Sequence, residues 1–137
     1  MSKIYFLWDE KFSVQIAEID EQHKKLFDLL NELYNAFACK KHQTEIKGII
    51  EKLVDYTNFH FTHEEKYFRR FNYEDSKSHV EEHHSFINTI KQYQNDAIQN
   101  PVMLTYKTMT FLQNWITNHI LVNDKKYVNC FKENGLA

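Results

Sequence analysis

The chain has 137 residues with a formal net charge of −2, a length that suits one domain, 1–137, able to bury a core without disulfides or extra subunits. Lysines and acids are interspersed, so the sequence offers no basic face for nucleic acid and no polybasic stripe for a membrane surface. Apolar runs are only a few residues long, Met1-Ser2-Lys3-Ile4-Tyr5-Phe6 leads into polar sequence, and Cys39 and Cys130 are lone thiols outside any CxxCH pattern; a cytoplasmic protein is the expectation.

With Gly 2 and Pro 1, turn punctuation is sparse, and the stretches rich in Leu, Glu, Lys, Gln and Phe lack the alternation of strands. The pattern predicts an all-α protein: an extended N-terminal arm, residues 1 to about 18, then four helices. In the arm, Trp8 and Phe12 are the residues expected to pack over one end of the helices. The first helix is predicted from Asp20 as N-cap, with His23, Leu26, Phe27, Leu30, Leu33 or Tyr34, and Phe37 at helical period. The second spans about 43 to 71, and Ile46, Ile49, Ile50, Leu53, Thr57, His60, Glu64, Tyr67, Phe68 and Phe71 mark one face.

A third helix is predicted from Asp75 or Ser76, gathering His79, His83, Phe86, Ile87, Ile90 and Ala97 before the break at Gln99-Asn100-Pro101. Pro101 at a first helical position opens the fourth, which turns Leu104, Thr108, Phe111 or Leu112, Trp115 and His119 inward. Long helices with short connections predict an antiparallel up-down-up-down four-helix bundle. Each helix then carries at least one histidine toward a common axis.

Imidazoles and carboxylates together suit divalent iron, zinc or manganese, and facing helices of a bundle can enclose a metal pair. His60 and Glu64 are four residues apart, as are His79 and His83, which stacks each pair on one helical face. A single histidine on an apolar stripe is ordinarily a hydrogen-bonded core residue. Five of them with a glutamate would instead bury many polar groups at about 1–3 kcal/mol for each left unsatisfied, a penalty that a metal removes. His42, His63 and His84 continue no inward stripe and are read as solvated; Tyr67 and Tyr127 are read as core or supporting residues.

The chain resembles the hemerythrins, most of all the single-domain bacterial ones, across nearly its whole length. The likeness is carried by Trp8, Ile19-Asp20-Glu21-Gln22-His23, His60-Phe61-Thr62-His63-Glu64-Glu65, His79-Val80-Glu81-Glu82-His83, and Trp115-Ile116-Thr117-Asn118-His119 with Asp124. It departs from that family at Gln15, where a Gly often follows the valine of the arm, and at Tyr73-Glu74, where Tyr-Pro is usual.

The resemblance implies one iron held by His79, His83 and His119, another by His23 and His60, with Glu64, Asp124 and an oxo or hydroxo group bridging the two. It implies dioxygen as the ligand, taken up reversibly at the open position of the two-histidine iron in a pocket lined by Phe61, Trp115 and Ile116. The function would be oxygen storage, delivery or sensing, not catalysis, with a protein that receives the oxygen as the partner of a delivery role. Charge bookkeeping agrees, since two ferrous ions, two carboxylates and a hydroxide leave a single positive charge, which a buried cluster tolerates.

The alternative is a di-iron oxidase or peroxidase, or an iron-handling protein of the same architecture, but its two Glu-x-x-His motifs are matched only once, at Glu81-Glu82-His83-His84. A zinc hydrolase would need His-Glu-x-x-His, and His63-Glu64 is followed by Tyr67. No His-Asp dipeptide occurs, and a haem would leave most histidines unused. On a regular helix Asp124 would stand about 140° round the axis from His119, so a π-type bulge or frayed turn is expected between them.

Overall fold

Apolar residues at helical spacing, interrupted by few turn-forming residues, give four long helices in the computed structural model, which describes residues 5–41, 43–96 and 101–137. They are α1 (Ala17–Ala38), α2 (Gln43–Arg70), α3 (Ser76–Asp96) and α4 (Pro101–Asn118); α4 runs on into a π-helical segment, His119–Asp124, and a short α5 follows at Val128–Glu133. Short connections force each long helix to reverse on its predecessor, and α1 and α3 each contact both α2 and α4, giving the antiparallel up-down-up-down bundle. Among the described residues there is no strand and no helix long and apolar enough to cross a membrane.

α1 begins at Ala17, three residues before the expected cap, with Ile16 in the N-cap position. Asp20 has a different task. Its carboxylate accepts from Ser13 Oγ at 2.5 Å and from the Val14 N–H at 2.8 Å, so it ties the arm to the first turn, where a negative charge also suits the helix dipole. Upstream, Asp9 caps a 3-10 turn at Glu10–Phe12, and Phe12 and Trp8 pack on Phe27 with ring centroids 4.8 and 5.5 Å away. Asn31 holds the arm's start by accepting from the Tyr5 and Phe6 N–H groups and donating to the Phe6 carbonyl.

The apolar core falls into two clusters. One gathers Phe12, Leu26, Leu30, Leu33, Leu53, Phe61, Phe86, Leu112 and Ile116 with their neighbours; the other gathers Val14, Ile16, Ile19, Phe68, Tyr73, Tyr127 and Phe131. Where the sequence left a choice, Leu33 and Leu112 are fully buried while Tyr34 and Phe111 are half-buried. Between the clusters lie polar side chains: His23 stands between Ile19 and Leu26 on α1, and Glu64 between Phe61 and Phe68 on α2. α5 was not expected, and it closes the second cluster by stacking Phe131 on Tyr127 at 4.2 Å. His42, Ala97, the Gln99-Asn100 break and the Leu104 side chain lie outside the described residues.

Gln15, the departure in the arm, has φ 59°, a left-handed conformation that costs a side-chain-bearing residue about 1–2 kcal/mol. Gln15→Gly should raise stability by about 1 kcal/mol, after the greater freedom of glycine in the unfolded chain is set against that relief. Urea unfolding midpoints of the two proteins measure it.

Candidate metal centre

The first three long helices and the π-helical extension of α4 each contribute to one buried polar cluster. His23 comes from α1, His60 and Glu64 from α2, His79 and His83 from α3, and His119 and Asp124 from the π-helical segment. None is more than 4% exposed. The extra residue per turn of a π-helix changes the angular step, so His119 and Asp124 face the same interior, which a regular helix would not allow. The expected irregularity is therefore present, and it spans the whole interval between them.

The histidines point their Nε2 atoms at one another. His23 and His60 approach to 3.1 Å, His119 and His79 to 3.0 Å, and His83 and His119 to 3.2 Å. Asp124 turns Oδ2 to His23 at 3.0 Å and Oδ1 to His79 and His119 at 3.1 Å each. Glu64 reaches His83, His60 and His79 through Oε1 alone, at 3.3, 3.6 and 3.9 Å, because its Oε2 accepts from the Tyr127 hydroxyl at 2.5 Å. Two tight groups result: Glu64, His79, His83 and His119, and His23, His60, Glu64 and Asp124. Asp124 also faces the first group through Oδ1.

The donor set fits a metal. Glu64 Oε1 and both Asp124 oxygens are buried and lack a hydrogen-bond partner, although buried oxygens of this kind are ordinarily satisfied. Separations near 3 Å are what neighbouring ligands on one octahedral ion adopt when each bond is about 2.1 Å long.

His60, Glu64 and Asp124 are already in the protonation states a metal requires. Burial holds the His60 imidazole neutral by pushing its pKa down to about 4 against the pull of Glu64. Burial also opposes charge on Glu64 and Asp124, but the surrounding imidazoles outweigh it; Glu64 falls to about 2, and Asp124 lies well below the usual carboxylate range through His119, His23 and His79. On His83 burial is outweighed by the carboxylates of Glu64 and Glu65, 3.3 and 2.9 Å away, which raise it to about 9, so a metal at its Nε2 would displace a proton. The Tyr127 phenol, buried beside Asp124 and Glu64, is pushed well up and stays a donor.

The outer ring nitrogens reveal residues that the sequence reading passed over. Gln22 Oε1 accepts from His60 Nδ1 at 2.5 Å, Glu65 from His83 Nδ1 at 2.9 Å, and Glu82 lies 3.2 Å from His119 Nδ1 while bonded to the Asn123 amide. Each sits beside a residue of the cluster in the chain yet serves the following helix: Gln22 next to His23, Glu65 next to Glu64, Glu82 next to His83. A neighbour on a helix is turned by about 100°, which aims it at the adjoining helix. That adjacency was the available signal.

Phe61 stacks on His83 at 3.7 Å and Trp115 on His119 at 4.3 Å. With Ile116, Leu26, Thr57 and Ile120 they wall a cavity of about 10 Å³ against His60, His119 and Asp124. His84 is exposed, as expected. His63 is less solvated than expected, being half-buried, 3.3 Å from Glu18 and edge-on to Tyr67.

Residues 14–131 match the family model of the hemerythrin HHE cation binding domain. The chain is 33% identical to a bacteriohemerythrin of Clostridium acetobutylicum over 90% of this chain and 99% of that one. It is 34% identical to a myohemerythrin of Theromyzon tessulatum over 89% of this chain and 90% of that one. A crystal structure of wild-type hemerythrin superposes with TM-score 0.79 at 27% identity, covering 92% of this chain and 97% of that one.

Tyr127→Phe would leave Glu64 Oε2 buried without its donor, at about 1–3 kcal/mol. Chemical unfolding of chelator-treated protein should show that loss, and an unchanged midpoint would contradict the assigned bond.

Proposed function

This chain belongs to the hemerythrin family, and we propose that its metal centre holds two iron ions with an oxo or hydroxo bridge and binds molecular oxygen reversibly. In this reading His79, His83 and His119 would hold one iron, His23 and His60 the other, and Glu64 and Asp124 would serve both. The observation that carries it is the division of Asp124, with Oδ2 turned to His23 and Oδ1 to His79 and His119. A carboxylate so divided between two histidine groups is suited to join two ions. Iron bound there would supply electrons that can be lent to oxygen and recovered.

The chain's own part is to shape and dry the place where oxygen arrives. A cavity of about 10 Å³ is close to the least that accommodates one water-sized molecule. Phe61, Trp115 and Ile116 present neither an acid nor a base to it, and the Thr57 hydroxyl already donates to the Leu53 carbonyl at 2.7 Å. General acid–base catalysis needs a titratable group within hydrogen-bond reach, and an apolar wall keeps out water that could serve instead. Oxygen is then released unchanged, as a carrier for storage, delivery or sensing requires. An oxidase or peroxidase would need the proton source that this wall withholds.

Iron analysis and visible absorption test the reading together. The reduced protein should contain two irons per chain, gain absorption in air and lose it under vacuum over repeated cycles. Ile116→Ala enlarges the cavity, so its oxygenated form should decay irreversibly about tenfold faster, if the lost exclusion of water is worth about 1.4 kcal/mol of barrier, while iron content is unchanged. Steady consumption of oxygen by the wild type would favour the enzyme, and equal decay of the variant would remove the role given to the wall.

A further inference from the structure

The polar groups behind the histidines are unevenly charged, and the unevenness follows the division of the centre. His83 and His119 of the three-histidine group are each backed by a carboxylate, Glu65 and Glu82. In the two-histidine group His60 is backed by the neutral amide of Gln22, and the Nδ1 of His23 is buried with no partner. We propose that Glu65 and Glu82 are positioning residues that make the three-histidine half the tighter metal site and leave the two-histidine half the weaker one. The inference rests on the metal-pair reading above and extends it to the order in which the ions are held.

A carboxylate can only accept, so Glu65 keeps a proton of His83 on Nδ1 and makes Nε2 the nitrogen that gives up its proton to a metal at the centre. Glu82, 3.2 Å from His119 Nδ1, stands to do the same for His119, although the Asn123 amide nitrogen lies 3.3 Å from the same ring atom. Such partners also make the imidazole a stronger donor, and removing one typically costs about 10–100-fold in metal affinity. An amide carbonyl fixes the tautomer of His60 equally well but adds no charge. His23 has neither benefit. The two carboxylates are not equivalent, because the side chain of Glu65 is 20% exposed and that of Glu82 44%; solvent screens the second more. Asn123, next to Asp124 on the π-helical segment, holds Glu82 in place through its amide.

The full chain loaded with two Co(II) ions and challenged with increasing EDTA tests this, with bound cobalt read from absorption and analysis and helicity from circular dichroism. Wild type should release its ions in two separate steps. Glu65→Gln should weaken the tightly held ion by about 10–100-fold and draw the steps together, with Glu82→Gln acting in the same direction but less. Gln22→Glu should move the other way for the other ion, retaining the first-released cobalt to higher EDTA, a gain that a merely structural role would not produce. If Glu65→Gln weakens both ions equally, or Gln22→Glu tightens neither, the inference is overturned while the metal pair stands. A wild type that never holds two cobalt ions overturns the metal-pair reading and the inference with it.

Discussion

Two carboxylates and five imidazoles are buried within a few ångströms of one another in an apolar bundle, and this electrostatic problem governs the architecture around them. Isolated charges in such a medium are prohibitively costly, and removing one partner from a buried set leaves the remainder worse off. The chain answers partly by itself: Tyr127 satisfies one oxygen of Glu64, and His23, His79 and His119 surround Asp124. Three inward oxygens remain without hydrogen bonds, and these are the atoms through which cations would complete the site. Apolar clusters lie on either side of them.

Geometry imposes a second demand, since one stretch of chain must supply both His119 and Asp124. The π-helical segment meets it by giving up regular hydrogen bonding where two side chains five residues apart both face the interior. The same distortion directs Asn123 outward to Glu82, so a single irregularity orders both the interior and its support. Tyr127 and Phe131, just beyond, anchor the segment by packing under Phe68 and Tyr73.

Much of this was legible in the residues. Histidines falling on apolar stripes are a strong signal, because periodicity says which face is buried and burial says that polar groups there need partners; His23, His60, Glu64, His79, His83 and His119 were all placed that way. The bulge followed from an angle, the mismatch between a five-residue interval and a regular turn. Asp20 misled because it is a good cap by type, whereas its carboxylate reaches back to Ser13 and Val14, and Ile16 takes the cap position. Gln22, Glu65 and Glu82 were hidden because the histidines they serve belong to the next helix, and a pattern read along one helix does not show what crosses to its neighbour. The brevity of α5 left too few turns for a period to register.

In the proposed centre Glu64 and Asp124 are shared by two ions with unlike histidine sets. Anomalous diffraction at the iron absorption edge from crystals of the iron-loaded protein addresses it directly. Two peaks are expected in the core, one among His79, His83 and His119 and the other beside His23 and His60, with both carboxylates between them. A single peak, or a second one away from these histidines, would contradict it.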